Sequence, residues 1–71
     1  MATEIKLETA GSVWKVMVKE GDVVQSGQTL FILEVMKMEV PYEAPLDGTI
    51  TDLYIREGEV VEENHLAIVM A

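Results

Sequence analysis

The sequence predicts an all-β fold, a flattened β-barrel or sandwich of two small antiparallel sheets. Three observations carry it: an internal repeat, apolar residues recurring with a period of two, and glycine-marked turns at equivalent places in both halves. "GSVWKVMVKEGDVV" (11–24) aligns without a gap on "GTITDLYIREGEVV" (48–61), so Gly11 faces Gly48, Glu20-Gly21 faces Glu57-Gly58, and Val23-Val24 faces Val60-Val61. Two similar halves imply an approximate two-fold axis. Beyond that stretch, a one-residue deletion brings "LFIL" (30–33) over "LAIV" (66–69).

In chain order, "VWKVMV" (13–18) alternates, with Val16 and Val18 on one face and Lys15 and Met17 on the other, which is the period of a half-buried strand. In the second half, Leu53 and Ile55 oppose Asp52 in the same phase. The Lys/Arg-Glu-Gly pieces at 19–21 and 56–58 read as tight reversals, glycine supplying the positive φ such turns commonly need. "TLFILEV" (29–35) and "HLAIVM" (65–70) are short apolar runs bounded by polar residues, as expected of strands buried between two sheets. Pro41 and Pro45 lack a backbone donor, so "VPYEAPLDG" (40–48) reads as an edge segment and a linker between halves. At this size two sheets must cover each other, so Trp14, Phe31 and most methionines are expected in the packing, and His65 in a turn without a functional role.

The composition bounds the function. With 71 residues, 49% of them hydrophobic, the chain (1–71) is expected to form one domain near the lower size limit for folding on an apolar core alone. The absence of cysteine excludes disulfides and thiolate zinc sites, and a lone His65 cannot assemble a metal centre or a nucleophile and base pair, so enzyme function is not expected. Thirteen acidic against five basic residues give a formal charge of −8, which repels nucleic acid and anionic membranes and predicts a monomer. No segment approaches the roughly 20 apolar residues that span a bilayer, and "MATEIKLETA" has no signal-peptide pattern; a cytoplasmic location is the expectation.

One stretch resists the pattern. "EVMKMEV" (34–40) joins the two halves, with a strand leading in and "MEVPY" leading out, yet the reversal falls on Met36-Lys37. Two-residue hairpins favour Asn-Gly or Asp-Gly because both central residues take positive φ. A turn that contradicts its own chemistry marks a place where the side chain itself is required. By the two-fold relation the counterpart of this join is the pair of chain ends, which leaves Lys37 alone on a protruding tip at the far end of the molecule. Met36 and Met38 either pack against the sheet end or form an apolar, adaptable collar for a partner. Glu34 and Glu39 flank the turn.

Taken together, the repeat, the central lysine and the "E-x-M-K-M" wording resemble the biotinyl/lipoyl attachment domain family, whose members carry a cofactor in amide linkage on such a lysine. The resemblance covers nearly the whole chain, including "GDVVQSGQTLFILE" (21–34) and "APLDGTI" (44–50). It implies that Lys37 bears covalent biotin, that Met36 and Met38 are the flanking motif, and that Val35 and Glu34 belong to the motif a ligase reads. Val35 stands where the family's biotinyl members usually have alanine, and methionine on both sides of the lysine matches the biotinyl form better than the lipoyl form, which more often reads "D-K-A". Lipoate is the alternative cofactor, and an unmodified docking module of the same fold is the alternative from another class. The resemblance further implies a small stand-alone biotin carboxyl carrier without the "thumb" loop, since the Gly21–Gly27 segment is already short. The partners it implies are a biotin protein ligase and the biotin carboxylase and carboxyltransferase between which the arm would shuttle carboxyl groups.

Overall fold

The structure is a computed structural model that describes residues 2–71. Eight strands form two antiparallel sheets: β1 (Thr3–Lys6), β2 (Gly11–Val16), β3 (Val23–Val24), β4 (Thr29–Val35), β5 (Met38–Glu43), β6 (Gly48–Leu53), β7 (Val60–Val61) and β8 (Leu66–Met70). The first sheet has the order β1-β8-β6-β3, and the second β5-β4-β2-β7. Exchanging each strand with the one four places along turns one sheet order into the other. The all-β sandwich with internal two-fold symmetry is thus what the chain forms.

Hydrogen bonds repeat with the strands. Gly21 N–H donates to Ile50 O and Ile50 N–H to Asp22 O, both at 2.8 Å, while Gly58 N–H donates to Val13 O at 2.7 Å and Val13 N–H to Glu59 O at 2.8 Å. Each half therefore closes its turn on the other half's strand. Two carboxylates reinforce the exchange: Glu57 Oε2 accepts from Val16 N–H at 3.0 Å, and Glu20 Oε2 accepts from Leu53 N–H at 3.1 Å.

The one-residue deletion expected between the halves is not there. Met17 N–H donates to Leu30 O and Tyr54 N–H to Ala67 O, so Leu30 corresponds to Ala67 and the separation of Gly11 and Gly48, 37 residues, persists to the end. Leu66 is half-buried like Thr29, whereas Ala67 and Ile68 lie in the core like Leu30 and Phe31. Leucine at both 30 and 66 makes the shifted alignment attractive in sequence, but burial fixes the ungapped one.

The core lies between the sheets and is built from Phe31, Leu30, Leu33, Ile50, Ile68 and Met70, none measurably exposed. Phe31 stacks on Tyr42 with ring centroids 4.7 Å apart. Two sequence expectations need correction. Trp14, Met17, Met36 and Met38 are exposed, leaving Met70 as the methionine that packs among the described residues. The alternation of β2 is broken by a bulge between Val13 and Lys15, so Val13 and Val16 both turn inward and Trp14 is left outside. Strand β1 and the Val-Val strands β3 and β7 carry too few apolar residues to be read as strands from sequence. Where expected, Pro41 sits on an edge strand, β5, and no inserted loop separates Gly21 from Gly27, only β3.

Candidate functional site

Strands β4 and β5 are paired down to Val35 and Met38, leaving Met36 and Lys37 as a two-residue turn. Both central residues take positive φ, 52° at Met36 and 67° at Lys37, the pattern of a type I′ hairpin. A left-handed conformation costs an ordinary residue roughly 1–2 kcal/mol, and here two consecutive side chains bear it. The turn is held from below: Val35 is half-buried against the core, and Glu34 pairs across the strands with Glu39.

Above that base the side chains are free. Met36 is 89% exposed and Met38 63% exposed, so the methionines do not pack on the sheet end. Lys37 is exposed, and the ion pairs among the described residues, Lys6–Glu4 and Lys19–Asp22, do not involve it. Glu34 and Glu39 are both exposed, a like-charged pair directly opposite across β4 and β5. All five residues singled out in the sequence, Glu34 through Met38, fall on this one hairpin. The free, projecting amine fits a group joined to it by an amide, since nothing would have to be broken or displaced to receive one.

Sequence reasoning missed Gly11 as part of the site. A Cβ there would stand 2.6 Å from Glu34 O and 3.1 Å from a Val35 methyl, so glycine lets β2 lie directly against the base of the hairpin. Gly48, its counterpart, approaches Ala71 O in the same way, also at 2.6 Å. The repeat marked both glycines, but only the cross-strand geometry shows what they do. Strand β2 leaves the hairpin side at Gly11, and the chain reaches Val23-Val24 beside Gly48, where Ala71 and Thr49 exchange hydrogen bonds at 2.8 and 3.0 Å. In a body of 32 × 18 × 17 Å the hairpin and the described chain ends thus occupy two-fold-related opposite positions.

A family model described as "Biotin-requiring enzyme" matches residues 1–70. The chain belongs to the biotin/lipoyl attachment family. This attachment domain is 39% identical over 64 residues to the "Biotin/lipoyl attachment protein" of Bacillus subtilis, covering 90% of this chain and 88% of that protein. It is 35% identical over 71 residues to the "Biotinylated protein TB7.3 homolog" of Mycobacterium leprae, covering both chains fully. Among solved structures it resembles Kluyveromyces lactis urea carboxylase with a TM-score of 0.91 and 30% identity, over 100% of this chain and 6% of that one. The attachment domain spans only that small part of the larger protein's length. Among its described residues no helix is long and apolar enough to cross a membrane, and no group of three His, Cys, Asp or Glu is placed to hold a metal ion.

Proposed function

We propose that Lys37 is the attachment point for covalent biotin and that the domain carries it between the active sites of a biotin-dependent carboxylase. The family is one of carriers and not of catalysts, with biotin as its cofactor. The observation that supports Lys37 in this role is its place on an exposed two-residue turn with both residues at positive φ.

A biotin protein ligase is the partner for loading. The uncharged Nζ of Lys37 attacks the adenylate-activated carboxyl carbon of biotin; a C–N bond forms, the C–O bond to the phosphate breaks, AMP leaves, and the amine proton passes to a base on the ligase. Glu34 and Glu39 stand opposite each other across β4 and β5 below the turn, and neither is ion-paired with Lys37. Once attached, biotin supplies the ring that accepts and releases a carboxyl group. The domain's own contribution is reach and effective concentration: a lysine stem on a rigid two-sheet base makes transfer between two sites quasi-intramolecular. Biotin carboxylase and carboxyltransferase sites, on the same chain or on others, are the stations, and the domain acts as a monomeric, cytoplasmic shuttle.

Intact mass and peptide mapping of the protein from its own cells test the proposal. One biotinyl increment on Lys37, abolished in Lys37→Ala with the fold intact, is the expected result. Bare Lys37 in cells with active ligase overturns it. The second reading, a lipoyl carrier, draws on the B. subtilis relative's name, and a lipoyl increment would select it.

A further inference from the structure

The internal repeat provides a control that most domains lack, because every position in one sheet has a counterpart under the same structural constraint in the other. Both β2 and β6 carry a bulge at the same place, between Val13 and Lys15 and between Ile50 and Asp52. The bulge turns two consecutive residues outward: Trp14 and Lys15 in one sheet, Thr51 and Asp52 in the other. A row then crosses each sheet in register, Lys15–Ile32–Pro41 on the hairpin sheet and Asp52–Val69–Glu4 on its counterpart.

The two rows share backbone geometry and differ in chemistry. On the second sheet the Thr51 hydroxyl lies 3.1 Å from both Val69 O and Asp52 Oδ2, so the outward pair is hydrogen-bonded back to its own sheet, and the row ends in carboxylates. On the hairpin sheet Trp14 is 44% exposed with Lys15 Nζ 5.7 Å from its ring centroid, an apolar and cationic row on a molecule with a formal charge of −8, with the exposed Glu34 and Glu39 between it and the turn. The fold does not require it, since Thr and Asp fill the same slot four strands on.

We infer that the Trp14–Lys15–Ile32–Pro41 face is the docking surface for the enzyme that acylates Lys37, which meets it with an apolar pocket for Trp14 beside a carboxylate for Lys15. This inference rests on the carrier reading. Position favours that partner, because β4 and β5 run from this row straight into the hairpin, and the four residues from Ile32 to Met36 span about 13 Å. A protein closing over Lys37 from this side, with an interface of ordinary size, covers the row. The loading step also has the greatest need of it. Before acylation the hairpin carries no cofactor, so the ligase has only protein surface to recognise, whereas later active sites can hold the cofactor itself. Tryptophan is among the residues most enriched at the energetic centres of such interfaces.

The test uses the fact that Trp14 is the chain's one tryptophan. The full chain as Lys37→Ala, labelled with 5-fluorotryptophan, gives a single fluorine resonance, and titration with a biotin protein ligase should shift it saturably. In parallel, Trp14→Thr and Lys15→Asp, which install the residues of the other sheet, should keep the melting temperature while raising KM for loading of Lys37 about tenfold with kcat unchanged. Trp14→Phe should recover part of the loss. Should Trp14→Thr fail to fold, Lys15→Asp and the fluorine signal still decide. An unmoved resonance, or wild-type loading efficiency in folded variants, overturns the docking surface and leaves the carrier reading intact. A defect confined to carboxylation of the loaded domain overturns the assignment to the loading enzyme. A wild-type Lys37 that no biotin ligase modifies removes the carrier reading and the docking surface together.

Discussion

At Met36 and Lys37 the chain keeps two long side chains in a conformation that suits glycine and asparagine. Relief of that strain should be measurable. Met36→Gly is expected to raise unfolding stability by about 1 kcal/mol in chemical denaturation, while slowing ligase loading because the apolar collar is lost. A variant that is both less stable and normally loaded would show that the turn is not strained. Gly11 makes the opposite prediction. Gly11→Ala drives a methyl group onto Glu34 O, 2.6 Å away, and should cost about 1–3 kcal/mol together with a loss of loading, because the hairpin base must move. Gly48→Ala meets Ala71 O at the same 2.6 Å and should lower stability with loading unchanged once the domain is folded. Equal loading by both folded variants would detach Gly11 from the site.

At the level of elements, the strand–strand contacts between halves depend on two carboxylates that look like ordinary surface charge. Glu57 and Glu20 receive the N–H groups of Val16 and Leu53, the last residues of β2 and β6. Glu57→Ala should destabilise by about 1 kcal/mol in denaturant titration, and Glu57→Gln, which keeps a carbonyl acceptor, should recover most of that; equal losses would mean that the charge and not the hydrogen bond matters. The sequence marks Glu20 and Glu57 as turn residues because they precede glycine, but it cannot reveal an acceptor's partner 41 or 33 residues away. The same limit hides β1, β3 and β7: they exist because a neighbour's edge is open, not because of their own pattern. Strand β4 is different. "TLFILEV" matches the observed Thr29–Val35 to the residue because its apolar run is bounded by a polar residue at one end and a turn at the other. Glu34 to Met38 stands out in the sequence as a candidate site for a related reason, since a violated local rule is conspicuous where local rules otherwise hold.

For the whole molecule, the two-fold relation makes a second hairpin buildable. Ala71 and Ala2 correspond to Glu34 and Glu39 under the 37-residue repeat, so a Val-Met-Lys-Met linker between them, together with Ala71→Glu and Ala2→Glu, reproduces the original hairpin on the opposite pole. New termini between Pro45 and Leu46 fall in an exposed bend outside any strand, the kind of site that tolerates permutation. The permuted chain then carries two lysine hairpins of matching backbone in one body. They differ in the sheet beneath them: Lys37 stands above Trp14 and Lys15, and the linker lysine above Thr51 and Asp52. Peptide mapping after limited exposure to biotin ligase should find Lys37 modified at least about tenfold more often, with circular dichroism confirming the fold. Equal labelling would mean that the hairpin alone is recognised and that Trp14 is exposed for another reason. Transfer of the preference to the linker lysine, on moving Trp and Lys to positions 51 and 52, would locate recognition in the sheet face, because nothing else about the two poles would have been exchanged.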